Sequence, residues 1–160
     1  MDALQQVPLT LCLGKVALAA GTTSTLSNTG ATVYAIRGKA YSRVAMANTA
    51  TPIIDAATGV AFPAIVANQG TIVVVGFDAG GNLKAAQGSI QALDATGNFV
   101  LSPQPPAIPD TMCPIGYIVL KAGPALAGSW TFGSNNLSAV TGMTFTFVDL
   151  ITLTDRPQVS

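Results

Sequence analysis

Seven aspartates and two cysteines are the main side chains this sequence offers for proton transfer, nucleophilic attack or metal binding, because it contains no histidine and no glutamate. Without histidine, neither a Ser-His-Asp nor a Cys-His nucleophile can be assembled, and two thiols alone are too few for a structural zinc site. Glycoside hydrolysis needs two carboxylates in one cleft, one of them held protonated. The aspartates do not suggest such a pair. Asp55, Asp78 and Asp94 stand in turn sequences, and Asp110 and Asp155 lie close to prolines. Asp149, between Val148 and Leu150, is the one expected to be semi-buried, where a lone carboxylate usually caps a backbone N–H. No Gly-Lys-Ser/Thr follows any glycine-rich stretch, so a phosphate loop is not expected either. The sequence therefore predicts no catalytic residue, no cofactor-binding residue and no metal ligand.

One pattern recurs. Phe77-Asp78-Ala79-Gly80-Gly81-Asn82-Leu83 and Leu93-Asp94-Ala95-Thr96-Gly97-Asn98-Phe99 both read apolar, Asp, Ala, any, Gly, Asn, apolar. Asp suits the first turn position because its carboxylate accepts nearby backbone N–H groups, and Gly supplies the positive φ of a type I turn closed by a bulge. Calcium is the competing reading. An EF-hand loop needs several acidic oxygens at alternating positions and a terminal bidentate Glu, whereas each segment here has one Asp. Both segments are predicted to be hairpin turns.

Composition narrows the function classes. Charged residues are 9% of the chain and the formal net charge is zero, while hydrophobic residues reach 49%. A surface with so little charge has weak protection against self-association, which implies that partners cover much of it. Nucleic acid is not an expected partner: Lys15, Arg37, Lys39, Arg43, Lys84, Lys121 and Arg156 are mostly scattered, and only the Arg37–Arg43 group is close in sequence. Cys12 and Cys113 each sit in an apolar run and read as buried thiols, with a single bridge between them the alternative. The N-terminus has no signal-peptide pattern, and no apolar run reaches the ~18 residues of a membrane span. A soluble protein made in the cytoplasm, with no membrane partner, is the expectation.

The elements that must carry these residues read as strands. Sixteen Gly and ten Pro, with no Glu to favour helices, suit short strands and turns. Thr71–Phe77 is a continuous β-branched run of the kind buried on both faces. Thr32–Arg37, Ala40–Ala45, Gly116–Lys121 and the segment beginning at Trp130 read as further strands. Met143–Val148 alternates, with Met143, Phe145 and Phe147 on one face. Pro103–Pro109 reads as a stiff extended connector. Eight to ten short strands imply an all-β domain, an antiparallel β-sandwich or jelly-roll-like barrel. Residues 1–30 are expected as an extended N-terminal arm and 31–160 as the β-sandwich domain. Leu9, Leu11 and Leu13 alternate with Thr10 and Cys12, so Met1–Leu26 is expected to dock on a partner's sheet edge; the other reading makes it the first strand of the sandwich.

Residues 70–157 resemble small β-structured virion proteins of tailed bacteriophages. The likeness lies in Val75-Gly76-Phe77-Asp78-Ala79-Gly80-Gly81-Asn82-Leu83-Lys84 with Gln87-Gly88, and in the Pro-rich crossover ending Ile108-Pro109. Pro114-Ile115-Gly116-Tyr117-Ile118-Val119, Trp130-Thr131-Phe132-Gly133 and Asp155-Arg156-Pro157 add to it. These are similar to segments of capsid decoration (cement) proteins and of the bases of phage fibres. The resemblance implies a homotrimer bound to the major capsid protein on the outer surface of a phage head, stabilising it. The alternative is a tail-fibre domain that binds a receptor or glycan; fibre tips display exposed aromatics, whereas Trp130 opens a strand, where core packing is expected.

Overall fold

The structure, a computed structural model, describes residues 9–150. Among them every regular element is a strand. In chain order these are β1 (Leu11–Cys12), β2 (Ala19–Ala20), β3 (Thr25–Ser27), β4 (Thr32–Ile36), β5 (Lys39–Arg43), β6 (Thr49–Ala50) and β7 (Ile65–Val66). They continue as β8 (Gln69–Asp78), β9 (Leu83–Gln87), β10 (Gln91–Ala92), β11 (Met112–Ala122), β12 (Ser129–Trp130) and β13 (Met143–Asp149). All pair antiparallel. The chain is thus all-β, as its composition predicts, with more strands than the turn signals suggest; several are only two residues long, while β8 and β11 are longer than expected.

The largest sheet runs β10-β8-β11-β13, with β9 sharing the β8 edge with β10. Its centre is the β8–β11 pair, ten and eleven residues long. The Ile72–Val75 run of β8 supplies β-branched side chains at successive positions. Val73, Val75 and Phe77 enter the core from one face, and Val74 is 7% exposed on the other, so the two-faced burial expected of this run holds. On β11 the register slips between Pro114 and Gly116, a bulge at Ile115 that lets residues of opposite parity, Cys113 before it and Ile118 and Leu120 after it, all face the core. Three smaller sheets, β1-β4-β5, β2-β3-β6 and β7-β12, contribute to the same core cluster. No sheet closes into a barrel among the described residues. The arrangement is that of packed antiparallel sheets, consistent with a β-sandwich, and the barrel alternative falls.

The N-terminal segment differs from expectation. Residues 1–8 lie outside the described residues, but residues 9–26 are not a separable arm. Cys12, Val16, Leu18 and Leu26 are all buried in the common core. β1 is hydrogen-bonded to β4, and the Asp149 carboxylate accepts the N–H groups of Ala17 and Leu18 at 3.1 and 2.9 Å. The alternation at Leu9, Leu11 and Leu13 is real, but its polarity is inverted. The intervening Cys12 faces the core and the leucines face outward. A two-residue strand needs little apolar surface of its own when β4 supplies Tyr34 and Ile36 beside it.

Trp130 is 2% exposed and its indole N–H donates to the Asn136 carbonyl at 2.9 Å, which settles it as a core residue. It belongs to a cluster with Phe132 and Phe145, at ring separations of 6.3 and 5.5 Å.

Candidate interaction surface

The repeated Asp-Ala-x-Gly-Asn segments form the same turn twice. At the first, Asp78 N–H donates to the Asn82 carbonyl and Gly81 N–H to the Asp78 carbonyl, with Gly81 at φ 75°. At the second, Asp94 and Asn98 exchange in the same way and Gly97 has φ 79°. The first joins β8 to β9; the second closes only an isolated Leu93–Phe99 bridge. Each carboxylate is used inside its own loop. Asp78 Oδ1 accepts Gly80 and Asn82 N–H, both at 2.9 Å, and the Asn82 side chain at 3.2 Å. Asp94 Oδ1 accepts the Thr96 and Asn98 N–H groups at 2.8 and 2.9 Å and the Thr96 hydroxyl at 2.7 Å. Partial burial works against ionisation of Asp78, but the bonds from Asn82 and Gly80 and the Lys84 charge outweigh it and lower its pKa. The Thr96 hydroxyl, followed by the Asn98 N–H, lowers that of Asp94. In both turns Oδ1 takes the loop's own N–H groups, and Asp78 Oδ2 accepts the Asn82 side chain and faces Lys84.

Asp149 caps Ala17 and Leu18 as its context predicts, but the most buried aspartate among the described residues is Asp55, at 1% exposure. Its Oδ1 accepts Ala57 N–H within the turn, and its Oδ2 accepts Gln87 N–H on β9, covering that strand's outer edge together with the Ala56 bond to Ala85. Asp55 thus serves its own turn, as its neighbours in sequence predict, and also β9, which is distant along the chain. No group of three or more potential ligands gathers among the described residues.

Cys12 and Cys113 are both free and fully buried. Desolvation, aided by Cys12 nearby, pushes the Cys113 thiol up to about 12. Three of the basic residues cluster around β5 as their spacing suggests, yet each is engaged. Arg37 pairs with Asp110 at 3.0 Å on the surface, Lys39 lies over the Tyr41 ring, and Arg43 lies 4.7 Å over the Phe77 ring and donates to the Gly81 carbonyl. Tyr34, beneath them, donates its hydroxyl to the Asp78 carbonyl at 2.8 Å; burial raises its pKa.

What these inward contacts leave on the other side of the same sheet is an apolar surface. In β1-β4-β5, the residues opposite in parity to Cys12, Tyr34 and Tyr41 face out: Leu9, Leu11 and Leu13, then Val33 and Ala35, then Ala40, Ser42 and Val44. Leu13 N–H donates to the Val33 carbonyl, so Leu13 and Val33 are neighbours, and Val44 follows diagonally from Val33 two residues past Ser42. Exposure is 61% for Leu9, 55% for Leu13, 46% for Val33 and 79% for Val44. No charged side chain stands in these rows. All the charge of β5 is at Lys39 and Arg43, which have the other parity. Single exposed apolar residues are ordinary; a contiguous uncharged group of them on one sheet marks a contact surface. The alternation at Leu9–Leu13 was the sequence signal for it.

Among known proteins the chain matches no family model, no curated protein and no solved structure.

Proposed function

We propose that this chain is a non-enzymatic structural subunit that docks on a larger protein assembly through the outer face of β1-β4-β5. The observation that carries this reading is the uncharged row Leu9, Leu13, Val33 and Val44 on a protein whose charge is only 9% overall. Exposed apolar surface of this kind costs free energy in water and is recovered on contact. Stable protein contacts bury about 800 Å² per partner, so these four side chains would form the apolar centre of a larger contact. Many weak contacts on a repeating lattice add through avidity.

Within that class, the resemblance of residues 70–157 to tailed-phage virion proteins favours a capsid decoration protein, bound to the major capsid protein on the outside of the head and working as a homo-oligomer, with a trimer the state it implies. The large aromatics support the lattice role over glycan recognition: Trp130, Tyr34, Phe77 and Phe132 are buried, and no aromatic stands among the highly exposed hydrophobics of the described residues.

The test is location and binding together. Electron microscopy of the parent particle should place the protein on the capsid lattice. Leu13→Lys should abolish its binding to capsids lacking it, with the circular dichroism spectrum unchanged. Density on the tail, or undiminished capsid binding by a folded Leu13→Lys protein, would refute the reading.

A further inference from the structure

β13 lies at the end of the large sheet and pairs only with β11. Leu150 N–H donates to the Ile115 carbonyl, which sets the alternation: residues 144, 146, 148 and 150 point their backbone groups at β11, and Phe145, Phe147 and Asp149 point theirs away. Among the described residues no backbone or side-chain group bonds to the outward N–H or C=O of Phe145 or Phe147. The other strand edges of comparable length are guarded. β9 is covered by Asp55 and Ala56, and β5 carries Lys39 and Arg43. From Met143 to Val148 there is no charge, no proline and no bulge, so the strand itself carries none of these devices against edge pairing. The side chains are incomplete in the same place: Phe145 and Phe147 turn toward the core but are only partly buried.

We infer that the open edge of β13 pairs antiparallel with β13 of a second copy, joining the two large sheets into one across a two-fold axis. The strand is self-complementary about Thr146. Centring the axis there pairs Thr144–Val148, since Met143 N–H already donates to the Val140 carbonyl, and it sets Phe145 opposite Phe147 and Thr144 opposite Val148, with Thr146 opposite its own copy. Phe145 and Phe147 then exchange both backbone hydrogen bonds with their counterparts, and their half-buried rings are covered on the core face. Thr–Thr and aromatic cross-strand pairs are among the favourable ones. The occupant is a second copy of this chain, because both partners present the same uncharged alternation over Thr144–Val148. The inference goes beyond docking through the outer face of β1-β4-β5, and Thr146 and Leu13 lie on different sheets, so either surface can fail alone.

Thr146 is exposed, so charging it leaves the core intact. Analytical ultracentrifugation of the full chain should show a concentration-dependent dimer, weakened roughly fivefold or more in either Thr146→Lys or Thr146→Asp alone, where like charges meet across the axis. Mixing the two variants should restore association to at least the parent level. Hydrogen exchange at Phe145 and Phe147 should slow as concentration rises. An assembly of three chains that neither variant disturbs would overturn the edge pairing and leave the trimer of the proposed function standing. Slow exchange of these amides in a monomer at every dilution would also overturn it, by showing that the chain covers its own edge.

Discussion

Leu26 tests whether the N-terminal segment is part of the fold. It lies in β3, a three-residue strand with few ladder bonds, yet it is fully buried between β2 and β6 within the common core. Leu26→Ala removes three carbons, worth about 2.4 kcal/mol at ~0.8 kcal/mol per buried methylene. The cavity left behind adds to this, and buried Leu→Ala changes span about 2–5 kcal/mol. A loss of about 3 kcal/mol in a chain of this size lowers Tm by about 6–12 °C. The control is Leu9→Ala, at a side chain 61% exposed, where a change within about 0.5 kcal/mol is expected. Urea unfolding of both variants, followed by Trp130 fluorescence, measures the difference as a shift in midpoint at constant slope. By the same reasoning, deleting residues 1–26 should give an unfolded product. If Leu26→Ala shifts the midpoint no more than Leu9→Ala does, the segment is peripheral and the account of the core is wrong.

Two further outcomes follow from the titrating groups. The folded pKa of Asp78 lies below its unfolded value, so its stabilisation is present above the unfolded pKa, near 3.9, and is lost as pH falls through the folded one; Asp78→Asn should flatten that acid-side dependence, cost under about 1 kcal/mol at pH 7 because Asn keeps an acceptor oxygen, and leave Tm indifferent to calcium. A calcium-induced rise in Tm that Asp78→Asn removes would show the loop to be a metal site. With its thiol pushed up to about 12 and no exposed surface, Cys113 should react with a thiol reagent at pH 8 only as the protein unfolds, and rapid labelling of the native protein by mass spectrometry would contradict the burial described for it.

Much of the fold was already legible in the chain because its signals are local. Asp78 and Asp94 could be assigned to turns from five residues each, since a carboxylate two to four residues from its N–H donors needs nothing else. The strand at Thr71–Phe77 and the shared face of Met143, Phe145 and Phe147 followed from side-chain type and a period of two. The absence of histidine and glutamate by itself narrows the chemistry. The fate of Leu9, Leu11 and Leu13 was not local. Alternation states that a strand has two faces, but which one is buried depends on what the other strands bring. Here β4 presents Tyr34 and Ile36 beside β1, and the small Cys12 fits against them, so the three leucines turn outward. Asp55 likewise was a turn residue by its neighbours, and only the arrival of β9 made it the most buried carboxylate among the described residues. Residue type and period set the strands; the partner chosen by tertiary packing decided which apolar face became core and which was left as surface.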